Sequence, residues 1–492
     1  MGLLSVLSDA VNIREDGLRL LLSVLVGYPI AAIYRTFLYN KNATTQHAFF
    51  TIVGVLLYIF NYGYTILHSL VCIMMAYLIT NFIPGTQLSV ILAHVYFLGH
   101  LLVGYWFAES TEYDITWTTP FCIMALRFIG LVMDEKLKAD QLRTAISHPP
   151  SVLEVAAYGY FFAGTLVGPQ FTLSRFRSFV NGEFLDEKTG AVRASSTMAS
   201  CQRFVAGVFY AVIFQWGTLW VPDSYFNSKE FFELPFHWKV IWNTIWFRAT
   251  MYRYVTMWLL TEGVSILCGM GYNGRNANGE ERWDGVRDIH INKFELGSDF
   301  TSVIESFNCG TNAFAKNHLF LRLKWLGNKY YSHAITLFYL AVWHGYHLGY
   351  FLLFATEFMC IVAQKQLYSL VPLSPTLSEL VVQPWARPFT WLFGRVMINI
   401  SMAYAFLTFG LIKKEIWIGP VMSMYFWGHL FYFVIWPLAY VALRKALAND
   451  EPTRQQRIGS TSSASPAAAV PVLPSASAVA GASKLKSDVK SE

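Results

Sequence analysis

Residues 337–354 read LFYLAVWHGYHLGYFLLF, a run of apolar and aromatic side chains that is long enough to be a membrane-spanning helix. Two histidines, His344 and His347, interrupt its middle and stand three positions apart, so that they could share one face of a helix. Ionisable groups at membrane depth are costly, and by default they suggest a functional site. The stretch therefore predicts both a kind of fold and a candidate reactive group.

Apolar runs of this kind recur along the whole chain. Of its 492 residues, 54% are hydrophobic and only 14% are charged, which is too apolar for a soluble globular domain. Runs such as Leu18–Tyr39, Leu88–Phe107 and Phe389–Ile412 are continuous and lack the two-residue alternation of barrel strands, which favours helices. Because backbone groups in hydrocarbon must be satisfied within the protein, we expect an all-α, polytopic membrane protein with about ten or eleven spans.

Two basic loops give a partial topology. One carries Lys136, Lys138 and Arg143, and the other, residues 174–196, carries a similar number of basic side chains. The positive-inside rule places both on the cytoplasmic side. The intervening segment, residues 151–171, must then enter the membrane and return, which irregular backbone can do only where protein shields it or where it lines a wet cavity. We therefore expect re-entrant or interfacial helices around an internal reaction chamber.

The composition changes near residue 449. The stretch that follows is rich in Ser, Ala, Pro and Val and has no aromatic residues, which is typical of disorder. We predict a membrane-embedded domain over residues 1–448 and a disordered tail over residues 449–492. No removable signal peptide is expected at the start of the chain. The six cysteines show no CxxC pair or regular spacing, and they predict neither a disulfide framework nor a zinc site.

A polar interlude over residues 271–329 interrupts the apolar rhythm. It keeps aromatic and aliphatic residues, which predicts an ordered segment, and connections of this length are commonly functional. Four basic side chains lie near its end: Lys316, Arg322, Lys324 and Lys329. Two interpretations stay open, since such a stretch can form a basic amphipathic helix on an anionic membrane face, or it can supply a cationic lining for a phosphorylated ligand.

The two histidines admit several chemistries. A histidine in a span can simply hydrogen-bond a neighbouring helix. The other histidines are scattered and form no second HxxH cluster, so no metal is expected, and no GxSxG elbow is present for a serine relay. The remaining role is that of a general base, which suits the unperturbed histidine pKa of about 6.5.

Several motifs occur together and carry a resemblance to a known family. They are TEGVSILCGMGYNG at residues 261–274, SFNCGTNAF at 306–314, LFLRLKWLGNK at 319–329 and LAVWHGYHLGY at 340–350, with LVGPQF at 166–171 ahead of them. This ordered set resembles the membrane-bound O-acyltransferase family, and within it the lysophosphatidylcholine acyltransferase branch. The resemblance covers nearly the whole membrane-embedded part and excludes the tail.

The resemblance implies a multi-pass enzyme of the endoplasmic reticulum membrane that acts in phospholipid remodelling. It would transfer a fatty acyl chain, often polyunsaturated, from acyl-CoA as co-substrate to the sn-2 hydroxyl of lysophosphatidylcholine, with lysophosphatidylethanolamine and lysophosphatidylserine as further acceptors. Its partners would be these substrates and membrane lipids, with no cofactor and no nucleic acid. The alternatives are a sterol, diacylglycerol or peptide acceptor within the same family, or a lipid transporter that is not an enzyme.

The resemblance also assigns roles to residues. The catalytic histidine of the family's WHG motif falls on His344, and the paired asparagine falls on Asn308, with Asn312 as the second candidate. His344 would take the hydroxyl proton, while the Asn308 amide would donate to the developing oxyanion or position the acceptor. His347 is expected to support the site, and the four basic side chains are expected to lie near the CoA phosphates. Cys309 is a conceivable nucleophile, but no paired base is apparent.

Overall fold

The computed structural model describes residues 3–11, 13–108, 115–135, 144–146 and 148–459. The first six helices are α1 (Leu3–Val11), α2 (Glu15–Ile33), α3 (Ala43–Tyr62), α4 (Ile66–Phe82), α5 (Gln87–Ala108) and α6 (Thr118–Glu135). Local signals set their ends: the Asn42 side chain caps α3 by accepting from the Thr45 N–H at 2.8 Å. Gly63 then ends α3 with a φ of 58°, which side-chain-bearing residues rarely adopt. The basic side chains at 136, 138 and 143 lie outside the described residues.

Two short helices follow, α7 (Val152–Gly159) and α8 (Leu173–Val180), and the chain between them is irregular. With eight residues, α7 is roughly 12 Å long and cannot cross a bilayer. The buried Arg127 guanidinium holds the irregular backbone by donating to the carbonyl oxygens of Tyr158, Gly164 and Pro169 at 3.1, 2.8 and 3.1 Å. No helix of this segment is long enough to cross a bilayer, as expected, and protein shields its irregular backbone.

The next helices are α9 (Ser195–Trp220), α10 (Lys229–Glu233) and the long α11 (Phe236–Leu267), which packs along α9. A close approach to a third helix, α2, occurs at Gly263, where an added Cβ would lie 2.3 Å from the Tyr28 hydroxyl oxygen. Next to it, Glu262 is fully buried and is paired with Arg203 and Arg287 at 3.2 and 3.1 Å. A buried carboxylate is tolerated when such partners compensate its charge.

The polar interlude is ordered, as expected, and contains α12 (Ile291–Leu296), α13 (Phe300–Glu305) and α14 (Cys309–Phe314). An antiparallel bridge between Ile289 and Phe307 folds it back on itself. The continuous basic amphipathic helix is not formed, because a π-helical turn over 315–319 is followed by a 3-10 helix over 320–326. This segment turns back onto the following helix, where the Ser332 hydroxyl donates to the Leu323 carbonyl oxygen at 3.0 Å.

The last helices are α15 (Lys329–His344), α16 (Leu348–Leu370), α17 (Pro375–Val382), α18 (Ala386–Gly410), α19 (Lys414–Ser423), α20 (Trp427–Leu430) and α21 (Trp436–Gly459). α16 packs against both α15 and α18. α21 continues past the boundary at residue 448 that composition suggested, and residues 460–492, the rest of the expected tail, lie outside the described part of the chain.

Seven helical segments of the described chain are long and apolar enough to cross a membrane, fewer than the ten or eleven expected: 15–38, 43–82, 87–108, 195–227, 348–373, 386–410 and 427–447. The second contains both α3 and α4. α11 is long enough but is not among the seven, and it carries Lys239, Arg248, Arg253 and Glu262. The lower number reflects in part the counting of α3 and α4 as one segment and in part the charged residues of α11.

Candidate active site

A chamber of about 1060 Å³ lies inside the helices, and most of its wall is formed by α2, α6, α9, α11, α15, α16 and α18. Its size is close to the upper end of the range for small-molecule sites. Four residues predicted from the sequence line it, namely His344, His347, Asn308 and Asn312. The structure thus brings together residues from the polar interlude and from the apolar stretch that follows it.

His344 is the last residue of α15. Gly345 ends this helix with a φ of 130°, a conformation that favours glycine, and the chain turns directly into α16. The neighbouring Trp343 indole N–H donates to the Cys122 carbonyl oxygen at 2.9 Å, which ties the end of α15 to α6. The prediction that His344 and His347 share one helical face is wrong, because His347 lies beyond this turn and precedes α16.

The His344 imidazole is held by aromatic packing. Its ring centroid lies 5.8 Å from that of Tyr350, 5.6 Å from that of Phe354 and 4.9 Å from that of Phe409. Within the described ranges, no side chain or backbone group hydrogen-bonds its ring nitrogens. The imidazole is therefore fixed in place while its nitrogens are left for a ligand in the chamber.

Asn308 has a left-handed backbone conformation, with φ 51° and ψ 49°, immediately before α14. Asparagine tolerates this region better than most residues. The conformation is fixed from the next two residues, since the Cys309 N–H donates to the Asp288 carbonyl oxygen at 3.0 Å and the Gly310 N–H donates to Asp288 Oδ1 at 2.8 Å. Asp288 thus holds the backbone next to Asn308 through two hydrogen bonds.

Asn312 has a different role from Asn308. Its side-chain amide donates to the carbonyl oxygens of Ile304 and Phe307 at 2.9 and 2.8 Å. Both of its N–H groups are therefore used to close the turn that leads to Asn308. This geometry favours Asn308 as the amide available to a substrate.

Cys309 is poorly suited to act as a nucleophile. Its thiol donates to the Glu305 carbonyl oxygen at 3.3 Å, and burial raises its pKa to about 12. Near neutral pH it is a thiol, whereas the thiolate is the reactive form. No group of three or more His, Cys, Asp or Glu side chains that could hold a metal ion occurs among the residues that the structure describes.

Asp288 was missed by sequence reasoning. It is 3% exposed, lines the chamber and lies between Gly310 and the irregular segment 160–172, where a Cβ on Gly168 would be 3.0 Å from its Oδ2. Gln170 in that segment accepts from Arg127 Nε at 3.3 Å. Burial raises the Asp288 pKa to about 7. The only signal in the sequence was a lone acidic residue in VRDIH, 20 positions before Asn308.

The four basic side chains do not meet at the chamber. All of them, Lys316, Arg322, Lys324 and Lys329, are exposed and absent from its lining. The nearby Trp325 is also 78% exposed, which suits a position at a membrane interface. Their expected contact with CoA phosphates stays a prediction.

Apolar helices long enough to cross a membrane enclose a chamber with a histidine and an asparagine on its wall, which is the arrangement of an integral membrane protein with a buried polar site. A family comparison gives its class: the profile of the membrane-bound O-acyltransferase family matches residues 102–407, and the chain belongs to that family. It is thus an acyltransferase, and the family and enzyme class predicted from the motifs are confirmed.

Curated relatives match over most of the chain. Lysophospholipid acyltransferase 5 of Caenorhabditis elegans is 57% identical over 455 residues, which cover 91% of this chain and 96% of the relative. The proteins of the same name from Mus musculus and Homo sapiens are 36% and 35% identical over 437 residues, covering 87% of this chain and 89% of each relative.

Proposed function

We propose that this protein transfers a fatty acyl chain from acyl-CoA to the sn-2 hydroxyl of a lysophospholipid in the endoplasmic reticulum membrane. Lysophosphatidylcholine is the leading acceptor, with lysophosphatidylethanolamine and lysophosphatidylserine as further acceptors. The names of the similar proteins support the substrate class. The observation that carries the proposal is that His344 and Asn308, which are 36 positions apart in sequence, line one chamber inside the helices.

The reaction needs only these two groups from the protein. A ring nitrogen of His344 takes the proton of the acceptor hydroxyl as its oxygen attacks the thioester carbonyl carbon, forming a C–O bond. The Asn308 amide donates to the oxyanion that develops. The oxyanion then collapses, the C–S bond breaks, and the CoA sulfur leaves with the proton returned by the imidazolium.

The chamber also fits the physical contrast between the substrates. CoA is highly charged and cannot cross hydrocarbon, whereas the acyl chain and the lysophospholipid are largely apolar. The thioester must therefore reach His344 through a protein-lined path from the aqueous side. We assign the exposed Lys316, Arg322, Lys324 and Lys329 to the mouth of this path, where fixed cations would bind the CoA phosphates.

The proposal is tested with purified protein, labelled oleoyl-CoA or arachidonoyl-CoA, and a panel of acceptors. We expect diacyl phospholipid and free CoA with lysophosphatidylcholine, and no product with His344→Ala under the same conditions. Product formed only with a sterol, diacylglycerol or peptide would replace the acceptor class. Absence of product from every acyl donor and acceptor pair would contradict the proposed reaction.

The assignment of the four basic residues to CoA binding has a separate test. Changing the four basic residues to glutamine should raise the KM for acyl-CoA more than the KM for the lysophospholipid, because only the donor carries the phosphates they would bind. Equal effects on both substrates, or no effect, would contradict the assignment.

A further inference from the structure

One carboxylate on the chamber wall has no part in the mechanism described above. Glu357 lies in the middle of α16, is 8% exposed and lines the chamber. Among the residues that the structure describes, none hydrogen-bonds or forms an ion pair with it. It is therefore a buried acidic side chain that faces the chamber without a protein partner.

Such an arrangement is costly and asks for an explanation. Burying an unpaired carboxylate is unfavourable, and ionisable groups within spans commonly contact substrates or ions. The contrast with other glutamates is clear, since the buried Glu262 is flanked by two arginines and Glu154 is paired with Arg177 at 2.7 Å. A cation that enters the chamber would compensate the charge of Glu357.

The position of Glu357 relates it to the reaction point. Tyr350, Phe354 and Glu357 succeed one another at four and three positions, which places them on one face of α16. The first two pack against the His344 ring. Glu357 lies three residues beyond Phe354, about 4.5 Å further along the helix axis. A group of the acceptor several bonds from the reacting hydroxyl could contact it.

The chemistry of the substrates identifies that group. CoA brings anionic phosphates and, nearer the thioester, neutral amides, which would leave the carboxylate charge uncompensated. The lysophospholipids proposed above as acceptors carry an ammonium group in the headgroup, and aromatic rings such as those beside His344 also favour such cations. We propose that Glu357 binds the headgroup ammonium of the acceptor and sets a preference for ammonium-bearing lysophospholipids; this inference rests on the proposed function.

The test compares Glu357→Gln with wild type on two acceptors, lysophosphatidylcholine and its isostere in which a neutral tert-butyl carbon replaces the quaternary nitrogen. In the wild type, the isostere should lose on the order of 10- to 100-fold in kcat/KM, mainly through the acceptor KM, as expected for a lost interaction with a buried charge. In Glu357→Gln the natural acceptor should show a similar loss, and the isostere should show little further loss. The KM for acyl-CoA should stay unchanged in both.

The control is Glu233→Gln, which neutralises a glutamate that is 67% exposed and does not line the chamber, and it should behave as wild type. If the loss caused by the isostere and the loss caused by Glu357→Gln add, the inference is overturned. It is also overturned if Glu357→Gln raises the KM for acyl-CoA instead. Should Glu357→Gln fail to fold, the wild-type comparison still decides, since equal kcat/KM for both acceptors contradicts ammonium binding. A wild-type enzyme without product from any acceptor would defeat the proposed function itself.

Discussion

Replacing Asp288 by alanine should slow catalysis although Asp288 does not itself react. The substitution removes the carboxylate that accepts from the Gly310 N–H at 2.8 Å, while the backbone carbonyl that accepts from Cys309 remains. One of the two hydrogen bonds that hold the left-handed backbone of Asn308 is then lost. We expect the Asn308 amide to lie in its productive orientation for a smaller fraction of the time.

The size of the effect follows from the burial of this hydrogen bond. Leaving a buried N–H without its acceptor costs about 1–3 kcal/mol. If that free energy is taken from the productive conformation, kcat falls by about 5- to 150-fold. Because Asp288 positions a group that acts on the oxyanion, the KM values of both substrates should change much less than kcat.

The measurement is the initial rate over a range of each substrate, with thermal unfolding in detergent as the check on folding. Asp284→Asn is the matched control, since Asp284 lies in the same loop, accepts from the Asn273 side chain at 2.8 Å and does not line the chamber. Asp288→Asn retains one acceptor oxygen and should fall between wild type and Asp288→Ala. A folded Asp288→Ala protein with wild-type kcat would refute the reasoning.

The remaining predictions concern neighbouring groups. His344→Ala should lose about 10²- to 10⁴-fold in rate while staying folded and monodisperse, because it removes the base; a folded variant with most of its activity would rule out this mechanism. Asn312→Ala should lower the melting temperature through its two lost donors, with a smaller loss of kcat than Asn308→Ala, and the reverse order would exchange their roles. Cys309→Ser should keep most of the activity, since its thiol is protonated near neutral pH; an inactive, folded variant would revive the covalent route. The carboxyl of Asp288, whose charged neighbours are Arg127 and Glu262, takes up a proton below pH 7. The protonated carboxyl has one acceptor oxygen fewer for the Gly310 N–H. The rate of the wild type should therefore fall more steeply with decreasing pH than the rate of Asp288→Asn.

Much of the fold followed from composition, because membrane spans need long apolar runs that can be seen directly in a sequence. The non-spanning segment after α6 also followed, since it is flanked by two basic loops. The number of spans did not, because α11 carries charged side chains that only tertiary contacts compensate. The interpretation of residues 315–326 as one continuous amphipathic helix failed for a similar reason. The segment bends back onto α15, and spacing alone does not reveal that contact.

The candidate site was only partly predictable. His344 and Asn308 stand in motifs, so a resemblance could single them out. Choosing between Asn308 and Asn312 needed the backbone conformation and the hydrogen bonds, because both are asparagines four positions apart. Asp288 and Glu357 are single acidic residues outside the motifs, and such a residue becomes informative only when its burial and its neighbours are known.

The irregular backbone that Arg127 holds has a consequence for how such an enzyme can change. Residues 160–172 contribute Val167, Gly168 and Gln170 to the chamber wall, yet they form no spanning helix. Their composition is therefore free of the hydropathy that insertion imposes on lipid-facing helices. Mutations there can reshape the chamber without altering how the chain is threaded through the bilayer. The chamber wall thus has one part that is independent of the spanning segments, while other parts, such as Glu357 in α16, belong to them.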